Sequence, residues 1–330
     1  MSNYNNKVLV TGAGGFIGSH LVEGLVEAGR QVRAMVHYNF QNSWGWLDTF
    51  PKELMANVEV VSGDIRDPFF VRKAVSGCET VFHLAALIAI PYSYIAPATY
   101  VETNIQGTLN VLQACRDEDI SRLVHTSTSE VYGTAQYVPI DEKHPIVGQS
   151  PYSATKIGAD KLAESYFLSF ELPVATIRPF NTFGPRQSAR AVIPTLITQV
   201  LSGTEVISLG SLSPIRDFNY VKDTVRGFMA VAASDQTVGR VTNIGRGHGI
   251  SISELAALIL ELCGSTATIE LDLDRVRPET SEVFELVCDS SEARRLFGWE
   301  PQYSIRDGLE ATITWLRNNL HRYKVDRYNV

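Results

Sequence analysis

Tyr152 and Lys156 stand four residues apart in PYSATKIGADKLAESYF (151–167). A helix puts residues at that spacing on one face, and Pro151 suits a helix start. An ammonium beside a phenol favours the tyrosinate, which makes Tyr152 a usable base near neutral pH. A second group is Thr128-Ser129-Glu130, within TSTSEVYG (126–133). Strand interiors rarely keep an unpaired charge, so Glu130 is either a solvated turn residue or the base of an active site. The third is TGAGGFIG (11–18), with Gly12, Gly15 and Gly18 three apart. Glycines there permit a tight turn and a close approach of backbone to a pyrophosphate, whose charge a following helix N-terminus favours.

The elements that must carry these groups are short and alternate. KVLVTG (7–12), QVRAMV (31–36), VEVVSGD (58–64), TVFHLAA (80–86), RLVHTST (122–128) and LPVATIRP (172–179) have the composition of strands. Between them lie helical patterns at GSHLVEGLVEAG (18–29), PFFVRKAVSG (68–77), ETNIQGTLNVLQACRDE (102–118) and the Tyr-Lys segment. This alternation predicts an α/β fold of the Rossmann type, a doubly wound parallel sheet covered by helices on both faces. After Pro179 the texture changes, with a Gly/Ser/Pro-rich stretch at 208–214 and helices at 251–264 and 304–320. Residues 1–179 therefore read as a dinucleotide-binding domain. Residues 180–330 read mainly as a smaller substrate lobe, with some segments returned to the main sheet.

The totals narrow the partners. A chain of 330 residues with 45% hydrophobic and 20% charged residues can bury a large core. A net charge of −7 gives no basic field, so nucleic acid is not an expected partner. Cys78, Cys115, Cys263 and Cys288 share no CxxC spacing, which argues for reduced thiols and against a metal site. No signal-peptide core and no 18-residue apolar run occurs. A soluble, cytoplasmic protein without membrane contact is expected.

Read in order, VLVTGAGGFIGSHLVE, GDIRD, VFHLAA, ETNIQGTLNVL, STSEVYG, PYSATK, RPFNTFGPRQ, RDFNYVKD and GWEP resemble the extended short-chain dehydrogenase/reductase family. The resemblance covers nearly the whole chain. It implies a bound NAD or NADP and a substrate that is a nucleoside-diphosphate sugar. Carried over by position, Gly12, Gly15, Phe16, Ile17 and Gly18 hold the pyrophosphate. Asp64 and Ile65 lie beside the adenine, Ala85 and Ala86 pass under the cofactor, and Asn104 supports the site. Tyr152 and Lys156 serve both cofactor and catalysis, and Thr128 meets the sugar 4-hydroxyl. Asn181, Arg186, Arg216 and Arg277 are the expected nucleotide-sugar contacts, since arginine's planar fork pairs with phosphate oxygens. The second strand ends in Val36-His37-Tyr38-Asn39, without the carboxylate that usually holds the ribose of NAD. That allows NADP as well, with His37 or Arg33 near a 2′-phosphate.

Glu130 separates the reactions within the resemblance. Members that only epimerise C4 lack a carboxylate at this place, whereas those that dehydrate the hexose have one, and UDP-glucuronate decarboxylases share the Thr-Ser-Glu triplet. HYNFQNSWGWLD (37–48) and RPFNTFGPRQSARAVIPTLITQ (178–199) resemble the 4,6-dehydratases of legionaminic-acid biosynthesis. These act on UDP- or GDP-activated N-acetylglucosamine. The expected enzyme is thus a hydro-lyase, with Thr128, Ser129, Glu130, Tyr152 and Lys156 as its catalytic group. A decarboxylase or epimerase is the alternative, and a non-catalytic dinucleotide sensor a distant one. Helices 102–118 and 152–170 resemble the pair that forms a four-helix homodimer interface in this family.

Overall fold

The computed structural model describes residues 7–276 and 278–325. Arg277, expected at the nucleotide sugar, lies outside them. Seven strands form the main sheet: β1 (Lys7–Thr11), β2 (Gln31–His37), β3 (Val58–Gly63), β4 (Thr80–His83), β5 (Arg122–Thr126), β6 (Val174–Pro179) and a late strand, Val241–Ile244. All neighbours pair in parallel, in the order Val241–Ile244, β6, β5, β4, β1, β2, β3. The order reverses between β1 and β4, and such a switch point opens a crevice at the carboxyl ends of the strands.

Alternation explains the continuous apolar runs. Val8 and Val10 of β1 belong to one core with Phe82, Val124 and Ile177. Leu9, between them, faces the other core with Val81, Leu123, Val71 and Val111. A strand buried on both faces has no polar side, which is the signature of a parallel sheet.

Beyond β6 the chain builds two small sheets. In the first, β9 (Ile215–Tyr220) is flanked by Gly249–Ser251 and Glu285–Leu286 and pairs with β7 (Asn181–Phe183). In the second, β8 (Val206–Leu209) pairs with Thr268–Leu271. The segment read from sequence as a Gly/Ser/Pro-rich stretch from 208 therefore begins inside a strand.

Two boundaries differ from the sequence expectation by three residues or more. β4 stops at His83, because Thr11 Oγ1 accepts from the N–H groups of Leu84 and Ala85 at 3.1 Å and draws them out of the ladder. The helix expected over 102–118 is α-helical only from Gly107 to Asp117, since Val101–Gln106 forms a π-helical turn. No helix among the described residues is long and apolar enough to cross a membrane.

Candidate active site

One cavity of about 1060 Å³ opens at the carboxyl ends of the strands, between the main sheet and the smaller sheets. That is enough for more than one drug-sized ligand. Its floor starts at the glycine loop. Gly12 has φ +70°, and a Cβ there would lie 3.0 Å from the Ala85 backbone. A Cβ on Gly18 would collide with the carbonyl oxygen of Gly12, so the helix Phe16–Glu27 can start close to the strand only with glycine. That helix has no acidic residue in its first turn, so its N-terminus meets the cavity without a competing negative charge. Gly12, Gly15, Phe16, Ile17 and Gly18 all line the cavity. A cradle of this shape and polarity fits a pyrophosphate.

Further along the floor lie Ala85 and Ala86, and at the ends of β2 and β3 lie His37, Asp64 and Ile65. His37 is 74% exposed, with Nε2 3.6 Å from Asp64 Oδ2. Arg66 grips Asp64 at 2.6 Å, and this bond holds the Asp64 carboxyl below its usual range. Arg33 does not line the cavity. Its Nη1 donates to the carbonyls of Ala74 and Ser76, and its Nε pairs with Glu59 at 3.0 Å. β2 side chains alternate between faces, and Arg33 sits too early on the strand to reach its carboxyl end.

Asn104 lies beneath the floor, 1% exposed. It accepts from the Leu87 N–H at 2.9 Å and donates to the Leu87 carbonyl and to Thr155 Oγ1. It thus clamps the loop after β4 to the helix Pro151–Phe170.

That helix carries Tyr152 and Lys156 into the cavity. Ser150 caps it, accepting from the Ser153 N–H at 3.1 Å, with Pro151 as its first residue. Tyr152 and Lys156 are 7% and 4% exposed, and Tyr152 packs edge-on against Tyr100. Opposite, β5 runs into a single 3₁₀ turn, Ser129–Tyr132, whose N-cap is Thr128. The turn points Thr128, Ser129 and Glu130 at the same space as Tyr152 and Lys156, and all five line the cavity.

The electrostatics differ from the sequence expectation. Lys156 donates to the Thr126 carbonyl at 2.6 Å, and burial lowers its pKa to about 8. Burial raises the Tyr152 phenol well above its ordinary value, opposed by a hydrogen bond from Thr128 and reinforced by the Glu130 charge. In this structure desolvation outweighs any help the phenol gets from the lysine.

On the substrate side, Asn181 and Arg216 line the cavity, and Arg216 pairs with Glu282 at 3.1 Å. Arg186 does not line it. Its guanidinium turns back to Glu23 at 2.9 Å on the first helix and lies 5.0 Å over the Phe50 ring. The φ of +69° at Arg186 directs it there. Arg190, Arg275, Gln187 and Glu282 line the cavity without having been singled out from sequence. Arg190 sits within the RQSARAVIP run, so the basic character of that run was visible while the turn that selects between its two arginines was not.

Residues 9–312 match the family model described as GDP-mannose 4,6 dehydratase. Among curated relatives, the low-salt glycan biosynthesis protein Agl12 of Haloferax volcanii is 34% identical over 93% of this chain and 97% of its own. Among solved structures, a double mutant of DesIV, a dTDP-glucose 4,6-dehydratase of Streptomyces venezuelae with NAD bound, superposes with a TM-score of 0.88. It is 29% identical, covering 96% of this chain and 98% of that one. A UDP-glucuronic acid 4-epimerase of Bacillus cereus, complexed with NAD and a fluorinated UDP-glucuronic acid, superposes with a TM-score of 0.87 at 29% identity, covering 95% and 99%. With a model match over nearly its full length, the chain belongs to the extended short-chain dehydrogenase/reductase family, among its nucleotide-sugar 4,6-dehydratases and epimerases.

Proposed function

We propose that this protein is a nucleotide-sugar 4,6-dehydratase that binds NAD and acts on UDP- or GDP-N-acetylglucosamine. The observation that carries the reaction is the placement of Ser129 and Glu130 in the same cavity as Thr128, Tyr152 and Lys156. An epimerase needs only the tyrosine side of this group. A carboxylate on the other side supplies the extra proton transfer that elimination requires.

The chemistry follows from the residues. Thr128 and Tyr152 hold the sugar 4-hydroxyl, and Tyr152 takes its proton as the phenolate, a form that the positive charges of Lys156 and of a bound nicotinamide must favour against the burial that raises the phenol. A bound nicotinamide would supply a reversible hydride acceptor, for the C4 hydride and for its return at C6, with no net change in the cofactor. The 4-ketone acidifies the C5 proton, and Glu130 removes it. A proton, from the Ser129 hydroxyl or from the now protonated Glu130, goes to O6, which leaves as water. The product is a 4-keto-6-deoxy sugar. The helix N-terminus at Phe16–Ile17 and the ammonium of Lys156 bind and orient the cofactor, while Asn181 and Arg216 bind the nucleotide sugar.

NAD over NADP is supported by the rim beyond β2. Its cation, Arg66, is already shared between Asp64 and Glu102, and Arg33 is bonded elsewhere. A 2′-phosphate beside His37 would meet the Asp64 carboxylate there. A homodimer is supported by apolar side chains left exposed on the two helical segments, Val101, Leu168 and Phe170, and light scattering in solution tests it. The four unpaired cysteines support a reducing, cytoplasmic setting.

The test incubates the purified protein with each nucleotide sugar without added reductant. Loss of one water from the mass, with an alkali-induced ultraviolet chromophore, is expected from UDP- or GDP-N-acetylglucosamine. C4 inversion at unchanged mass, or carbon dioxide from UDP-glucuronate, would replace this reading with epimerase or decarboxylase.

A further inference from the structure

Beneath the reacting groups lies a buried polar cluster that the chemistry above does not use. At its centre is Asp160, 6% exposed, one helical turn after Lys156. Its Oδ1 lies 3.0 Å from His125 Nε2, and its Oδ2 accepts from Ser127 Oγ at 2.6 Å and Arg178 Nη2 at 2.9 Å. Arg178 donates through Nε to Ser127 Oγ at 3.2 Å and through Nη1 to the Tyr132 hydroxyl at 3.0 Å. The Tyr132 hydroxyl in turn donates to Asn243 Oδ1 at 2.8 Å. One connected set of bonds therefore joins β5, β6, the strand Val241–Ile244 and the helix Pro151–Phe170. Ser127 and Tyr132 bracket Thr128, Ser129 and Glu130 on both sides.

We propose that Asp160 is the positioning residue of the site: through Ser127, and through Arg178 to Tyr132, it fixes Thr128–Glu130 against the helix that carries Tyr152 and Lys156, and it is the buried counter-charge of the Lys156 ammonium. This rests on the dehydratase reading above. Two arguments carry it. First, a buried Asp160–Arg178 ion pair is a costly way to join strands that apolar side chains would join as well, so its use marks a requirement for geometry. A turn that must hold a proton donor and a base within hydrogen-bond reach of a sugar has that requirement, because small displacements of reacting groups are expensive in rate. Second, the charges around Lys156 are one-sided. Asp160 faces it from its own helix, His83 from β4 and His125 from β5. Both histidines are held neutral by burial, first of all causes. Asp160 is the one carboxylate of this set buried beside the ammonium, and its attraction opposes the desolvation that lowers the lysine.

Asp160→Asn keeps the shape and removes the charge. NAD affinity measured by calorimetry against pH reports on Lys156 without any turnover. In the parent it is expected to fall as the lysine deprotonates, and in Asp160→Asn that fall should move down by about one pH unit or more. With sugar substrate, kcat should fall about a hundredfold while KM stays within about threefold. Ser127→Ala, which removes only a positioning bond, should lower kcat and leave the NAD profile in place. A folded Asp160→Asn protein with the parent's NAD profile and kcat would overturn the proposal. If that variant does not fold, Ser127→Ala and Tyr132→Phe proteins with parental kcat would overturn it equally. If the parent turns over none of the nucleotide sugars, the dehydratase reading fails, while the NAD titration still decides the role of Asp160. Absence of NAD binding by the parent would remove both.

Discussion

The ammonium of Lys156 lies 2.6 Å from the carbonyl oxygen of Thr126, at the end of the strand that leads into Thr128 and Glu130. Lysine and strand end are therefore one unit, and the Lys-Tyr pair read from the four-residue spacing is only part of the arrangement. A carbonyl acceptor and Asp160 offset some of the cost of burying the charge, yet desolvation still brings Lys156 down to about 8.

This fixes the sign of a stability effect. The folded-state value of about 8 lies below the ordinary 10.5, so between these pH values the unfolded chain holds more protons. Stability from this group rises with pH across that window, and the full burial penalty applies below it. Lys156→Met should thus stabilise the cofactor-free protein at pH 7, by up to about 3 kcal/mol, and remove the rise between the two values. Denaturant unfolding at several pH values checks this. A Met variant that unfolds more easily at pH 7 would show that the charge is better satisfied than its surroundings imply.

Arg186 and Arg216 are expected to respond differently. Arg186 joins the loop after β7 to the first helix through Glu23 and Phe50, whereas Arg216 faces the cavity. Arg216→Ala should raise KM for the nucleotide sugar about tenfold to a hundredfold, the worth of a charge-assisted phosphate contact. Arg186→Ala should leave KM within about threefold and cost roughly 1 kcal/mol of stability, as for a partly exposed pair. Steady-state kinetics with a melting curve separate the two, and a large KM effect at Arg186 would return it to the substrate.

The cofactor rim gives a third expectation. Asp64 lies beside His37 at the end of β2 and pairs with Arg66, so NADP should bind about tenfold or more weakly than NAD, the cost of like charge at a partly screened site. Asp64→Asn frees Arg66 and removes one negative charge, and both changes favour a 2′-phosphate. The NAD-to-NADP ratio of dissociation constants should shrink in that variant. An unchanged ratio would place discrimination elsewhere, on the Asn39–Trp44 segment that also lines the cavity.

Much of this was legible in the sequence because it rests on local rules. Strand–helix alternation predicts the sheet, and the glycine loop, TSTSEVYG and the Tyr-Lys helix line one cavity. What was not legible depends on backbone direction and on contacts distant in sequence. Arg186 and Arg190 are equal candidates in a string of letters, and a positive φ at Arg186 turns it away. The bonds of Asp160 to Ser127 and Arg178 span 33 and 18 residues, so no window around Asp160 reveals them. Desolvation of Tyr152 and Lys156 is likewise a property of the packed core.

Glu130→Gln separates the two halves of the proposed reaction. The amide keeps the shape but cannot take the C5 proton. Oxidation at C4 should persist, seen as absorbance of reduced nicotinamide, while water loss slows about a hundredfold to ten-thousandfold. Exchange of the C5 hydrogen with deuterium from solvent should stop as well. Dehydration at the parental rate would assign the C5 proton to another group.

Glu142 gives a pH effect of the opposite sign to that of Lys156. Its Oε1 accepts from the Asn243 N–H at 2.7 Å, in a half-buried position. Burial, with the charges of Glu292 and Asp289, pushes its carboxyl up to about 7 despite that bond. The folded chain then holds more protons than the unfolded chain between the ordinary 4.5 and about 7. The contribution is present below 4.5 and lost as pH rises through 7. Glu142→Gln keeps an acceptor for Asn243 and has no charge to bury. It should therefore be more stable than the parent at pH 8 by about 1–2 kcal/mol, discounted for the exposed part of the side chain, and equal to it near pH 4.5. Because Asn243 also accepts from Tyr132, a gain in stability without change in kcat would show that the Glu142 side of this strand is separable from the turn that carries Glu130. Equal stability of the two proteins across the whole range would mean that Glu142 is solvated enough to ionise without penalty.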